Sequence, residues 1–202
     1  TENGEGPKTI EDFFDTEKFP GKRGLRKRPQ VNMEWALLAD GVAPEEVYEV
    51  LATEEGQAQA FAKLDTIKDE ITWYDSWSQA PVLLNDGGAT MVQSANGRIF
   101  AAIKDDGAPF EIVWDSHIYD LDVWAIMKGT EKKEEAMEFI KFATGTVPLS
   151  GMQDVAYGPT RASAQALLPE EVKKDLPTAH LDEGVKADGI FWADYGESLG
   201  EK

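Results

Sequence analysis

Short apolar segments alternate with segments of helical periodicity along most of this chain, and no other feature restricts the fold as strongly. Ile71–Tyr74 has the β-branched and aromatic residues typical of a strand, and Ala89–Val92 is a second apolar run. Small polar residues after the first run can cap a helix that reaches Asn85. Two further buried strands are expected at Phe110–Trp114 and Leu121–Met127. Strands that alternate with helices indicate an α/β fold with a layered sheet.

Helix start and stop signals predict further helices on both sides of these strands. The pattern of Val31–Leu38 fits a helix that stops at Gly41, where glycine can adopt the left-handed cap conformation. Thr53 can cap a helix that runs to about Leu64. From Thr130 onward the pattern is helical again, so the end of the chain is expected to be mostly helix and loop.

Composition excludes several classes of protein. The formal net charge of -18 argues against a nucleic-acid or anionic-membrane partner, because like charges repel. The same charge weakly favours cationic ligands, or it simply keeps the surface hydrated. No apolar run approaches the roughly 20 residues of a membrane span. The absence of cysteine rules out disulfides and thiol chemistry within this sequence.

No recognisable catalytic constellation is present in the sequence. His117 and His180 stand far apart, and neither has metal-ligand spacing or belongs to a nucleophile motif. Glycine-rich nucleotide loops and nucleophile elbows are also missing. Paired carboxylates are unavoidable among 38 acidic residues, so a carbohydrate-active enzyme stays open as an alternative. We expect no enzymatic activity, no metal and no cofactor.

Two segments combine acidic and aromatic residues, which is the chemistry that a small cation needs. In the first, Asp75, Ser76 and Trp77 follow a predicted strand, at the end of a sheet where ligands collect. In the second, alternation places Asp120 and Asp122 on one side of an extended chain. We interpret Asp122 as a ligand contact rather than a structural hydrogen-bond partner.

Basic residues cluster at 22–28, although the whole chain carries a negative net charge. Two interpretations are open for this segment. It is either a solvated edge that pairs with acidic neighbours, or a site at which Arg28 reaches an anionic group of a ligand or partner.

Five segments together resemble the spermidine/putrescine-type periplasmic substrate-binding proteins of ABC transporters. The resemblance covers essentially the whole chain and is specific as a series. The segments are Asp12–Asp15, Phe19–Arg23, Ala36–Val42, Asn96–Arg98 and Glu138–Phe142.

The resemblance implies a type II periplasmic-binding-protein fold with two α/β lobes that close on a ligand by a hinge. Residues 1–120 would form the complete second lobe, and 121–202 the C-terminal part of the first lobe, with a strand followed mostly by helices. An N-terminal segment of that first lobe is then expected to be absent, and either it or a partner chain would complete the lobe. The implied location is the periplasm, and the implied partner is an ABC permease.

The resemblance also implies individual ligand contacts. Asp122 matches an aspartate that binds a polyamine amine, and Tyr157 matches a cleft tyrosine. Asp120 and Gln93 stand where polyamine binders often have tryptophan, and Trp192 lies near a glutamine that contacts ligand. Asp75 or Ser76 lies at a cleft serine. Arg28 stands where polyamine binders carry an acid, so a solute with both an amine and an anionic or hydroxyl group would suit Asp122 and Arg28 together.

The leading hypothesis is therefore an extracytoplasmic receptor that binds a polyamine or another small amine-containing solute between two lobes. In this hypothesis Asp122 and Asp120 neutralise the amine, while Trp77 and Tyr157 pack against its carbon skeleton. One alternative is an acidic protein-interaction module with vestigial ligand binding. The other is the carbohydrate-active enzyme.

Overall fold

The computed structural model describes residues 6–201, and the strands in this range form two separate parallel sheets. The described chain divides into two compact units. The first contains the residues up to Tyr119 together with those from Asp182 onward. The second is the continuous segment Asp120–Leu181. The division into lobes at 1–120 and 121–202 stays a prediction, and the two units differ from it in placing the residues from Asp182 onward with the first unit.

The first unit contains all the strands and most of the long helices of the described chain. Its strands are β1 (Arg23–Arg26), β2 (Ile71–Tyr74), β3 (Met91–Val92), β4 (Ile118–Tyr119) and β5 (Val185–Lys186). Its helices are α1 (Ile10–Phe14), α2 (Asn32–Ala39), α3 (Val47–Leu51), α4 (Glu54–Asp65), α5 (Gln79–Asn85), α6 (Asn96–Asp106) and α11 (Gly189–Gly200). Single 3-10 turns lie at Pro44–Glu46 and Lys68–Glu70.

The second unit consists of short helices joined by loops. They are α7 (Lys133–Ala143), α8 (Thr146–Ser150), α9 (Ala162–Gln165) and α10 (Glu170–Lys173), with 3-10 turns at Gly151–Val155 and Pro177–Ala179. The prediction of a mostly helical segment is confirmed here. No residue of α7 is buried, although the helix is amphipathic.

The three-stranded sheet has the order β2-β1-β3, with all strands parallel. Strand β1 lies in the centre and pairs Arg26 with Tyr74 on one side and Gly24 with Val92 on the other. The predicted strand at Ile71–Tyr74 is confirmed at both ends. The interpretation of 22–28 as a solvated edge is wrong for its middle residues, because they form the interior strand of the sheet.

Arg23 can lie inside this sheet because its donors are used by backbone carbonyls. The residue is fully buried, and Nε donates to the Phe13 carbonyl at 2.9 Å. Its two Nη atoms donate to the carbonyls of Gly21 and Asp15. Lys22, by contrast, is exposed and pairs with Glu70 at 3.1 Å, as the edge interpretation expected.

The core of the first unit lies between the sheet and helices α2, α3 and α4. Leu25 from β1, Leu37 from α2 and Leu51 from α3 are almost completely buried there. The predicted caps at two helix ends are present. Thr53 Oγ1 accepts the Gly56 N–H at 2.9 Å, and Gly41 follows the end of α2 with a φ of 91°.

The strands predicted at Phe110–Trp114 and Leu121–Met127 are wrong. A strand needs a neighbouring backbone, and within residues 6–201 neither segment has one. Between Phe110 and Met127, strand pairing is confined to β4, whose partner is β5. The Ala187 N–H donates to the Tyr119 carbonyl at 2.8 Å, which attaches the last residues of the chain to the first unit.

No helix among the described residues has both the length and the apolar character needed to cross a membrane.

Candidate functional site

The carboxyl ends of β1, β2 and β3 lie at one edge of the three-stranded sheet, because the strands are parallel. In open α/β sheets this edge is where ligands bind. Five of the nine predicted site residues follow these strand ends in sequence, and the fold brings them to the same edge. They are Arg28 after β1, Asp75, Ser76 and Trp77 after β2, and Gln93 after β3.

Gln93 is used inside the protein rather than at its surface. Its side chain is almost fully buried, and Oε1 accepts the Arg26 N–H at 3.0 Å. Its Nε2 donates to Asn32 Oδ1 at 3.0 Å, while its backbone carbonyl accepts the Tyr74 hydroxyl. Both polar groups of the side chain are therefore occupied. In this conformation Gln93 positions the end of β1, and its role as a ligand contact stays a prediction.

Asn32, which sequence reasoning missed, completes this buried amide network. Its Nδ2 donates to the carbonyls of Arg26 at 2.9 Å and Arg28 at 2.7 Å, so one side chain closes the turn after β1. Val31, just before it, has a φ of 70°, which is unusual for a β-branched residue. Such backbone strain is often found where a protein holds a functional loop in a fixed shape.

The segment after β2 leaves its acidic and hydroxyl side chains on the surface. Asp75 and Ser76 are exposed, and their backbone N–H groups both donate to Gln79 Oε1, at 3.0 and 2.8 Å. Ser76 Oγ lies 3.0 Å from Ser78 Oγ. Ser78 stands at the N-cap of α5 without a side-chain hydrogen bond to the helix, so the cap predicted from the small polar residues is not formed. Asp75 and Ser76 keep their side chains accessible at the sheet edge.

Trp77 packs against an arginine that the sequence did not single out. The guanidinium carbon of Arg26 lies 4.5 Å from the centroid of the Trp77 ring. Arg26 Nε also donates to the Asp75 carbonyl at 3.1 Å. Both partners are half-buried at the carboxyl edge of the sheet. The position of Arg26 as the last residue of a strand could have pointed to it. The interpretation of 22–28 as a solvated edge hid this strand.

Trp192 is held by a buried carboxyl group. Its Nε1 donates to Glu34 Oε1 at 2.8 Å, and the Tyr48 hydroxyl donates to the same oxygen at 2.9 Å. The Val31 N–H donates to Oε2 at 2.7 Å. Burial raises the pKa of Glu34 above its usual value, although these donors oppose the shift. The observed contacts of Trp192 thus join α11 to α2.

The remaining predicted residues, Asp120, Asp122 and Tyr157, belong to the second unit and are all exposed. Asp120 Oδ1 accepts the Leu121 N–H at 2.7 Å, directly after β4. The extended strand that was expected to align the two aspartates is not formed. Their role as ligand contacts, like that of Tyr157, stays a prediction.

A cavity of about 320 Å³ lies within the second unit, but none of the predicted site residues lines it. Its walls are mostly small or apolar, with Gln165, Lys173 and Thr178 as the polar members. Across residues 6–201, no group of three His, Asp or Glu side chains converges as a metal ion would require.

Comparison with known proteins places these features in a family. The model of the family described as "Bacterial extracellular solute-binding protein" matches residues 2–178. A gamma-aminobutyric acid-binding protein from Pseudomonas aeruginosa is 44% identical over 199 residues, which cover 97% of this chain and 56% of the relative.

Solved structures agree with this assignment. The Atu4243–GABA receptor has a TM-score of 0.81 and 32% identity, covering 98% of this chain and 61% of that one. The PBP MotA from A. tumefaciens B6, in complex with glucopine, has a TM-score of 0.84 and 33% identity, covering 97% and 62%. The chain therefore spans about three fifths of the length of these relatives.

The α/β periplasmic-binding-protein fold expected from the sequence is confirmed, and this chain accounts for part of it. The relatives mentioned above are named as binding proteins or receptors.

Proposed function

Because this chain belongs to the family of bacterial extracellular solute-binding proteins, we propose that it binds a small solute carrying both an amine and a carboxylate. Gamma-aminobutyric acid (GABA) is the solute that best fits the proposal. The relative that is 44% identical is named for binding it, and a structural neighbour is named as its receptor. In this proposal the protein is the extracytoplasmic component of an ABC importer, acts in the periplasm, performs no chemistry and delivers its solute to a permease.

The observation that carries this choice is the concentration of arginines at the sheet edge of a strongly acidic protein. Arg26 ends β1, Arg28 follows it, and Arg98 lies in the first turn of α6 just after β3. A polyamine carries only cationic groups, so each of these arginines would repel it. A carboxylate, in contrast, forms strong charge-assisted hydrogen bonds with guanidinium groups.

The amine of the solute needs an anionic partner, and Asp122 is the residue proposed for it. Asp120 is proposed as a second acid near the amine, and Tyr157 as a ring that packs on the methylene chain. Asp75 and Ser76 are proposed as further polar contacts at the sheet edge, where both are exposed. A micromolar affinity corresponds to about -8.2 kcal/mol, which a few charge-assisted hydrogen bonds and aromatic packing can supply.

A calorimetric and thermal-shift panel tests the proposal. The panel contains GABA, putrescine, spermidine, butyrate and a set of sugars, because a bound solute raises the melting temperature by mass action. We expect GABA to bind most tightly, since only GABA offers both charged groups. Tighter binding of putrescine or spermidine would instead support the polyamine branch. No response to any compound would favour the interaction module, and turnover of a sugar would favour the enzyme.

A further inference from the structure

Arg26 is fixed by the protein at both its backbone and its side chain. Its backbone N–H is bound by the buried side chain of Gln93, and its carbonyl accepts from the buried Asn32. The end of the central strand is thus held by two amide groups that water does not reach. This arrangement sets the direction in which the side chain leaves the sheet.

The side chain of Arg26 is oriented by two contacts that leave most of its donors unused. Nε donates to the Asp75 carbonyl, and the guanidinium lies over the face of Trp77, which binds the cation without consuming N–H groups. A guanidinium has five N–H donors, and four of them are on the two Nη atoms. In the part of the chain that the structure describes, neither Nη atom of Arg26 has a hydrogen-bond or ion-pair partner.

The other two arginines of the basic segment 22–28, Arg23 and Arg28, are not both oriented and accessible. Arg23 is buried and its nitrogens donate to three backbone carbonyls, so it has no capacity for a ligand. The side chain of Arg28 is exposed, and no contact in the described structure orients it. An unoriented arginine loses more conformational entropy when it binds, so a preorganised one contributes more affinity.

We propose that Arg26, stacked on Trp77, is the residue that binds the carboxylate of the solute and selects amino acids over diamines. This inference rests on the proposed function. The two free Nη groups form the planar fork that matches the two oxygens of a carboxylate. A diamine of the same length would place an ammonium group against this guanidinium, and the like charges would reject it.

The deciding experiment compares two solutes that differ only in the carboxylate. Calorimetric titration of the protein expressed from its complete gene would use GABA and 4-aminobutanamide, which keeps the amine and the carbon chain. We expect Arg26→Gln to weaken GABA binding on the order of tenfold to hundredfold. The same variant should change the affinity for the amide by less than about threefold, because the lost partner is the carboxylate.

Two further variants separate recognition from structure. Arg26→Lys keeps the charge but lacks the planar fork, so we expect a smaller loss of GABA affinity and an unchanged melting temperature. Lys68→Gln removes one exposed positive charge elsewhere in the first unit and should leave both affinities unchanged.

The possible outcomes distinguish this inference from the proposed function. An equal loss of affinity for both solutes in Arg26→Gln would mean that Arg26 only supports the fold of the edge, and it would overturn the inference while GABA binding stands. Unchanged GABA affinity in both Arg26 variants would overturn it as well. If the unmodified protein does not bind GABA, the proposed function falls and the inference with it.

Discussion

The two units of the chain are stabilised in different ways. The first has a continuous core in which Leu25, Met33 and Leu37 are almost completely buried. The second buries few large apolar side chains, Leu168 and Leu176 being the largest, and leaves many others exposed. The most exposed are Val123, Met127, Phe142, Val147 and Ile190, and all but the last belong to the second unit. The comparison teaches that the first unit has the core expected of an independent domain, whereas short helices and local hydrogen bonds dominate the second.

Core truncation should show the largest difference between the units. Leu37→Ala removes a fully buried side chain from the first unit and should lower the free energy of unfolding by about 2–5 kcal/mol. Phe142→Ala in the second unit should cost less than about 1 kcal/mol, because that side chain is 68% exposed. Urea denaturation of both variants measures the contrast. Equal costs would mean that Phe142 is buried against another surface in solution.

The buried arginine of β1 provides the next test of the first unit. Arg23→Lys keeps the charge, but a single ammonium cannot reach all three carbonyls that the guanidinium binds. We expect a loss of about 3 kcal/mol in the free energy of unfolding, since buried carbonyls lose their donors. Arg28→Lys is the matched control on the surface and should change stability by less than about 0.5 kcal/mol. Similar values for both variants would contradict the importance of the buried network.

Asp122→Asn tests the ligand contact that is proposed in the second unit. The residue is exposed, so folding should be unaffected, while GABA affinity should fall about tenfold or more because the amine loses its anionic partner. Calorimetry gives the affinity and thermal denaturation gives the stability. Asp154→Asn, at another exposed aspartate of the same unit, is the control. Unchanged GABA affinity in Asp122→Asn would remove Asp122 from the ligand contacts.

The smallest expected effect is the pH dependence caused by Glu34. Burial raises the pKa of this carboxyl group in the folded protein, so it keeps its proton at pH values where the unfolded chain has released it. Stability from this group is therefore complete below the unfolded pKa of about 4.5 and decreases as the pH rises toward the folded pKa. Each unit of difference corresponds to about 1.4 kcal/mol.

Glu34→Gln isolates this contribution because the amide does not titrate. Urea denaturation of the parent and the variant across a series of acidic to neutral pH values should show a shallower pH dependence for the variant. Its absolute stability should also fall, because the amide would present N–H groups to the Val31 N–H. Parallel pH profiles for the two proteins would exclude Glu34 as the source.

Local signals in the sequence predicted those elements whose stability is decided locally. The strand at Ile71–Tyr74 and the cap at Thr53 follow from residue types within a few positions of each other, and both are confirmed. Strand β1 was missed because Arg23 is stable in the interior only through carbonyls of α1 and its flanking turn, which no local pattern reveals. The strand predicted at Leu121–Met127 failed for the opposite reason. Polar and apolar residues alternate where this strand was predicted to begin, but no neighbouring backbone in the described chain pairs with it.

The candidate site was predictable to a similar extent. Parallel strands bring their carboxyl ends to one edge, so Trp77, which follows the predicted strand Ile71–Tyr74, could be assigned to that edge from sequence order. Gln93 was named only through the family resemblance. Whether a side chain there faces solvent or the interior depends on partners far away in sequence. Gln93 turns inward to Asn32, and Arg26 turns outward over Trp77.

The pairing of β4 with β5 brings together the two points at which the second unit joins the first, so that the second unit could be exchanged as one segment. The segment Asp120–Leu181 leaves the first unit just after Tyr119 and returns just before Val185, at two points beside one pair of strands. Recombination therefore needs only two neighbouring breakpoints to exchange this segment, and neither cuts the three-stranded sheet.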